Sequence, residues 1–343
     1  MSSQNSHATD AINTNAHPGL TSPIQLPSGV ANYYNVNSTV EHARLVSGRV
    51  EFEISLRTIL SNLPHPETNA GKLKGLRIAD IGGGTGRYAV ALAQLGHSVT
   101  LLDISQSELD IASSHAAASN VQLEGIRCAD ASDLFGTCPS LLSQVGTFDA
   151  VLLMGPLYHL LEQEERERAV SDAGRLLRHC TTDGGGGGVL FASFLTTFGH
   201  LRGAARKDAG RLGREWGFYG GYLGVGLKDG EGEGVRERAG KYTRRKGEGV
   251  VSFHVHPSEI GGILEKSGLK SESKDEGEQQ RRFGVEKLVA CEGFLGADLA
   301  ENLNGLESEE WRAWMDVLCK FADDQCVLGA SEHLLAVARL VDI

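Results

Sequence analysis

Short apolar runs alternate with amphipathic stretches along most of this chain. "LRIADI" and "SVTLLDI" read as buried strands, joined by the helical "RYAVALAQLG" with Gly96 as its C-cap. Ser105-Gln106-Ser107-Glu108 has capping-box spacing and opens the next helix, which ends near Asn120. "QLEGIRCAD" and "FDAVLLMG" follow as strands, then the charged helix "EQEERERAVSDAGRLLRH" and a fifth strand, "GVLFASFL". "HPSEIGGILEKSG" has Pro257 at a helix start and Gly268 beyond its end. "VEKLVACEGF" and "LLAVARLV" supply a sixth and a seventh strand. Apolar strands alternating with helices imply an α/β fold, a mainly parallel sheet covered on both faces.

Upstream, a helix is expected from about Ser38, with Leu45, Phe52, Leu56, Ile59 and Leu60 on one face and Pro64 and Pro66 stopping it. The polar stretch 1–30 reads as a disordered tail. The expected division is therefore a tail at 1–30, an N-terminal lid helix at 31–66 and the main domain at 67–343. Within it, 195–256 is expected to be a flexible lid or acceptor insertion. Residues 202–246 hold twelve glycines, twelve Lys/Arg and six Asp/Glu, a local balance of +6. The glycine run Gly184–Gly188 is a second loose joint.

Charge narrows the choice of partner. A net charge of −11 over 343 residues disfavours nucleic acid. No apolar run approaches the roughly 20 residues that span a bilayer, and the N-terminus lacks a signal-peptide pattern, so a cytoplasmic location without membrane is expected. Six cysteines show neither CxxC nor zinc spacing; reduced thiols and no metal are expected.

The chemistry gathers at "IADIGGGTGRY". Gly82, Gly83, Gly84 and Gly86 form a loose turn between strand and helix, framed by Asp80 and by Asp103 at the end of the next strand. Glycines let backbone approach a ligand, and an acid at the second strand end suits ribose hydroxyls. The dinucleotide fingerprint fails, because its third glycine would fall on Arg87. A carboxylate at Asp80 also crowds a pyrophosphate but suits a ligand with positive charge. Asp149 reads as structural, and Asp133 as a turn cap.

Through "ADIGGGTGRY", "VTLLDIS", "CADASDLF" and "FDAVLLMGPLYHL", the sequence resembles the class I S-adenosyl-L-methionine (SAM)-dependent methyltransferases. The resemblance implies a Rossmann-like, seven-stranded, mostly parallel sheet with helices on both faces and the last strand antiparallel. It implies SAM as cofactor and S-adenosyl-L-homocysteine as product. Asp80, Gly82, Gly84 and Gly86 would line the methionine end, Asp103 would hold the ribose, and Ile104 would lie beside the adenine. Asp130 and Ala131 would meet the adenine edge, and the backbone at Met154 would face the amino group. A narrower resemblance, through "YYN", "GPLYHL", "FHVHPSEI", "CEGF" and "GASEHLLAVAR", is to small-molecule methyltransferases of fungal natural-product pathways. The glycine-rich insertion departs from that pattern and leaves the acceptor open.

In a parallel sheet the ligand lies beyond the carboxyl ends of the strands. The end of the fourth strand brings Tyr158 and His159 there, and a reversed seventh strand brings Ser331, Glu332 and His333. His159 and His333 rank first as general base or acceptor contact, ahead of His254 and His256. Each also has a plain reading as a packed or surface histidine. Tyr34, Tyr158, His256 and Glu332 are further acceptor contacts. The leading expectation is methyl transfer to an amine or hydroxyl of a small molecule or short modified peptide, in secondary metabolism. Its competitors are an RNA or DNA methyltransferase using the basic insertion, and a non-catalytic SAM-binding protein. The first is weakened by the single proline in Gly155-Pro156-Leu157-Tyr158.

Overall fold

The computed structural model describes residues 29–64, 68–69, 72–73, 75–179, 187–216, 219, 241–242, 252–267 and 281–342. Residues 1–28 of the tail expected at 1–30, the glycines 184–186, the Gly268 cap and most of 217–251 lie outside the described residues.

Among the described residues, the longer strands are β1 (Arg77–Ile81), β2 (Ser98–Asp103), β3 (Gly125–Cys128), β4 (Ala150–Leu153), β5 (Val189–Thr196), β6 (Ser252–Val255), β7 (Arg281–Ala290) and β8 (His333–Asp342). Seven of them lie side by side in the order β7-β8-β5-β4-β1-β2-β3. β1 to β5 are parallel, and β8 runs antiparallel to both β5 and β7. The seven-stranded sheet with a reversed last strand is thus the observed one. β6 pairs in parallel with Leu195 and Thr196 of β5, and the short strand Lys241–Tyr242 pairs with β6.

Alternation along the strands splits the core into two layers. Ala79, Ile81, Leu102, Val151 and Leu153 face one side, where helix α5 (Gln163–Leu176) adds Ala169, Val170 and Ala173. Ile78, Val99, Leu101 and Leu152 face the other, beneath α2 (Arg49–Asn62), α3 (Arg87–Gln94), α4 (Gln106–Ala118) and α7 (Ser308–Phe321). Ile54, Leu92, Leu109 and Met315 are at most 2% exposed there. A period of two in the strands and buried helix stripes on both faces close the core.

The N-terminal segment differs from its sequence reading. Instead of one helix from about Ser38, there are two, α1 (Val30–Ser47) and α2, divided at Gly48. The apolar pattern misses the first half of α1 because its inner face, carrying Tyr34, Glu41 and Arg44, meets a cavity instead of the core. Only Ala31 and Ser38 of α1 are buried.

Of two acids near strand ends, Asp149 takes its expected part and Asp133 does not. Asp149 is structural, accepting from Arg77 N at 2.8 Å and pairing with Arg178 at 2.9 Å. The turn after β3 is capped by Asp130, whose Oδ1 accepts from Ser132 N at 2.8 Å; Asp133 makes no such side-chain cap. Among the described residues, no helix is long and apolar enough to cross a membrane.

Candidate functional site

A cavity of about 420 Å³ opens at the carboxyl ends of β1 to β4, bounded by the start of β8 and roofed by α1. Its floor is the glycine turn after β1. Gly82, Gly84 and Gly86 have φ of +70°, +54° and +75°, the left-handed region that L side chains avoid. Gly82 N and Gly83 N both donate to Leu102 O, at 2.7 and 3.2 Å, tying the turn to β2. A Cβ on Gly82 would lie 2.4 Å from Pro156 Cγ, and one on Gly83 2.5 Å from Asp80 Oδ2. The missing methyl group at Gly83 is what makes room for the Asp80 carboxylate.

A Gly82→Ala protein is therefore expected to lose about 1–3 kcal/mol of stability, from backbone strain plus overpacking. Urea denaturation measures this; a midpoint equal to the parent's contradicts it.

Two acids flank the turn in different states. Asp80 is 1% exposed, and its Oδ2 has no hydrogen-bond partner. Burial, reinforced by the charge of Asp103, pushes its carboxyl up to about 7. Asp103 is also buried, which raises its carboxyl, but both its oxygens are engaged: Oδ2 accepts from Gly84 N at 2.9 Å and Oδ1 from Ser105 N at 2.8 Å. Backbone bonds thus fix Asp103 in place, while Asp80 keeps one buried oxygen without a hydrogen-bond partner.

The opposite wall is aromatic. Tyr34 Oη lies 2.8 Å from His159 Nε2 and their rings stand edge-on at 5.5 Å. Tyr158 is edge-on to His159 at 4.7 Å and to His333 at 6.4 Å. Burial and the charge of Tyr158 raise the Tyr34 phenol far above its ordinary value, so it stays a neutral hydroxyl. His333 Nδ1 is 2.7 Å from Glu292 Oε1. Burial opposes a charged ring there, but the facing carboxylates of Glu51 and Glu292 outweigh it and raise His333 to about 9. Glu292 shifts the other way, down, because burial is overcome by the His333 charge and by hydrogen bonds. A histidine held protonated at neutral pH is a poor base and a good anchor for negative charge.

Ligand atoms of Glu51, Glu292 and His333 lie within 4.8 Å of one another. Glu292 Oε2, however, already accepts from the Ser331 hydroxyl and from Glu332 N and His333 N, the last two at 3.0 and 3.1 Å. These groups therefore work as an ion pair with an added acid.

Most residues singled out from the sequence meet at this cavity. Asp80, Gly82, Gly84, Asp103, Ile104, Asp130, Ala131, Met154, Tyr34, Tyr158, His159 and His333 all line it. Three do not. Gly86 starts α3 with its Cα face against Ala112, where a Cβ would come to 3.0 Å. His256 instead caps the turn Pro257–Glu259, with Nδ1 2.7 Å from Ser258 Oγ, and its ring meets Phe198 at 5.3 Å. Glu332 contributes backbone, accepting from Thr196 N at 2.9 Å and donating to Glu292 Oε2. No described residue of 195–256 lines the cavity; α6 (Thr197–Asp208) packs away from it, with Arg202 donating to Gly329 O at 2.8 Å. Trp216 is exposed, and Tyr219 is buried beside His200. The sequence reading missed Glu41, Arg44, Glu51 and Glu108 on the cavity wall. For the first two, their spacing from Tyr34 along α1 was the available signal.

Residues 78–180 match the family described as "Methyltransferase domain". Among curated proteins, the ubiquinone biosynthesis O-methyltransferase of Caulobacter sp. (strain K31) is 34% identical over 122 residues, 36% of this chain and 42% of that protein. The enzyme of the same name from Methylocella silvestris is 32% identical over 136 residues, 40% of this chain and 46% of that one. The chain thus spans less than half the length of these relatives. Among solved structures, phosphoethanolamine N-methyltransferase 1 of Haemonchus contortus is 14% identical with a TM-score of 0.47, covering 91% of this chain and 46% of that one.

Proposed function

We propose that this chain, whose residues 78–180 match a methyltransferase domain, is a class I methyltransferase that uses SAM to methylate an amine or hydroxyl of a small molecule or short modified peptide. The observation that carries the reading is the orphaned Oδ2 of Asp80, buried at a bend of left-handed glycines, on a residue that lines a roofed cavity. A buried carboxylate without a partner is costly, and a ligand carrying an ammonium group supplies the missing donor. The residues present fit such a nucleoside. Asp80, Gly82 and Gly84 would hold its amino-acid end, Asp103 its sugar, and Ile104, Asp130, Ala131 and the Met154 backbone its base.

When bound, SAM supplies an electrophilic methyl group for in-line displacement. The chain contributes position and dryness, since much of such a barrier is orientation. α1 covers the cavity, and Tyr34, Tyr158 and His159 form an aromatic wall against which an acceptor packs. The hydrogen bond between the Tyr34 hydroxyl and His159 Nε2 orients both rings. His333, protonated between two carboxylates, is held by them and leaves base chemistry to another group. The name of the Caulobacter relative supports transfer to oxygen; the many carboxylates on the cavity wall favour a cationic amine. Both belong to the same reading.

Full-length protein titrated calorimetrically with SAM, then incubated with methyl-labelled SAM and panels of amines and phenols, tests it. Saturable binding and formation of S-adenosylhomocysteine are expected; a protein that binds neither SAM nor S-adenosylhomocysteine overturns it.

A further inference from the structure

The capping-box spacing at Ser105 calls for two reciprocal bonds. Only one forms. Ser105 Oγ accepts from Glu108 N at 3.3 Å. The return bond, from Ser105 N to the Glu108 carboxylate, is absent because Asp103 Oδ1 has already taken that N–H at 2.8 Å. Glu108 is thereby released from the helix end and turned into the cavity. It is 1% exposed, and neither of its oxygens has a hydrogen-bond partner. Its Oε2 lies only 3.3 Å from where a Cβ on Gly84 would stand, directly over the glycine turn. The N–H of that same Gly84 is held by Asp103 Oδ2. Two carboxyl groups therefore bracket Gly84, one anchored by backbone amides and one wholly unspent.

We propose that Glu108 is a second ribose-binding residue, taking one of the two sugar hydroxyls of the cofactor while Asp103 takes the other. The inference rests on the cofactor reading above and assigns Glu108 a part that its position in a helix cap does not suggest. Chemistry favours a hydroxyl over an ammonium as its partner. Burial, with the charges of Asp103 and Glu41, raises the Glu108 carboxyl to about 8, so at neutral pH it both donates and accepts. A sugar hydroxyl does the same. The structure keeps an uncompensated buried acid here, at a cost to the unliganded fold that only a ligand removes.

Calorimetric titration of the full-length protein, Glu108→Gln and Glu108→Met with S-adenosylhomocysteine and its 2′-deoxy and 3′-deoxy analogues tests this. In the parent protein, removal of the hydroxyl that Glu108 holds should weaken binding about tenfold, the loss of one buried hydrogen bond. In Glu108→Met the intact ligand should already bind about tenfold more weakly, and deleting that hydroxyl should change nothing further. Glu108→Gln, which can still donate and accept, should keep most of the affinity. The thermal midpoint of unliganded Glu108→Met should rise above the parent's, the opposite of what loss of a structural residue gives. Equal losses with both analogues in parent and variants, or a lowered midpoint with unchanged binding, overturn the proposal. If the parent binds no S-adenosylhomocysteine, the cofactor reading fails first and this inference falls with it.

Discussion

An Asp80→Asn protein is expected to bind S-adenosylhomocysteine about 10- to 100-fold more weakly, the worth of a hydrogen bond to a charged group, while its unliganded form is no less stable. The two effects separate because one oxygen of Asp80, Oδ2, is buried and has no hydrogen-bond partner within its own chain. Its raised pKa fixes the sign of the pH dependence. Between the ordinary carboxyl value near 4 and the folded value of about 7, the native protein holds a proton that the unfolded chain has released. Unliganded stability therefore falls as pH rises across that window, and asparagine removes the slope. An ammonium docking on Asp80 expels the same proton, so binding near pH 6 should release close to one proton and binding above pH 8 almost none. Titrations in buffers of different ionisation enthalpy read this directly. Unchanged affinity in Asp80→Asn, with no proton released by the parent, would show that this carboxylate faces something other than the ligand.

The largest stability loss is expected at Glu292. This acid is 3% exposed and accepts from the Ser331 hydroxyl, two backbone amides and His333 Nδ1. Glu292→Leu strands all four donors and leaves the His333 imidazolium with Glu51 as its remaining carboxylate, a defect of about 3–5 kcal/mol. Chemical denaturation at pH 7 measures it, and Glu292→Leu/His333→Leu should recover part of the loss. His333 is raised in the folded state, so its contribution is fully present below its ordinary value near 6.5 and disappears as pH climbs through about 9. Glu292 is lowered, so its contribution is present above its ordinary value and disappears when acid protonates it in the folded state. The pair thus stabilises a band from mildly acidic to mildly alkaline pH. A Glu292→Leu protein as stable as the parent would remove the ion pair from the account.

Where side chains meet a packed core, the sequence was easily read. The strands of the central sheet were visible because Ile78, Val99, Leu101 and Val151 form runs that only burial on both faces explains. The turn at Gly82–Gly86 was visible because few residues other than glycine tolerate its backbone. Reading failed where a face meets a cavity. The first turns of α1 carry polar residues inward, so apolar periodicity placed its start too late and overlooked Glu41 and Arg44. Glu108 was read as a cap because spacing cannot reveal that Asp103 would claim the shared N–H. His256 and Glu332 were placed near the cavity by chain position alone; local hydrogen bonds turned them to other work.

α1 also has a mechanical character. With only Ala31 and Ser38 buried, little greasy surface glues it down. It is fastened by a few polar hooks: Tyr34 to His159 at 2.8 Å, Ser105 to Asn35 at 2.7 Å and His42 to Thr85 at 3.0 Å. Water replaces such hooks at small expense, and Gly48 gives the segment a pivot where it joins the rigid body. The roof is thus expected to swing open without the sheet beneath it loosening, and faster amide exchange in α1 than in β1 to β5 would show it.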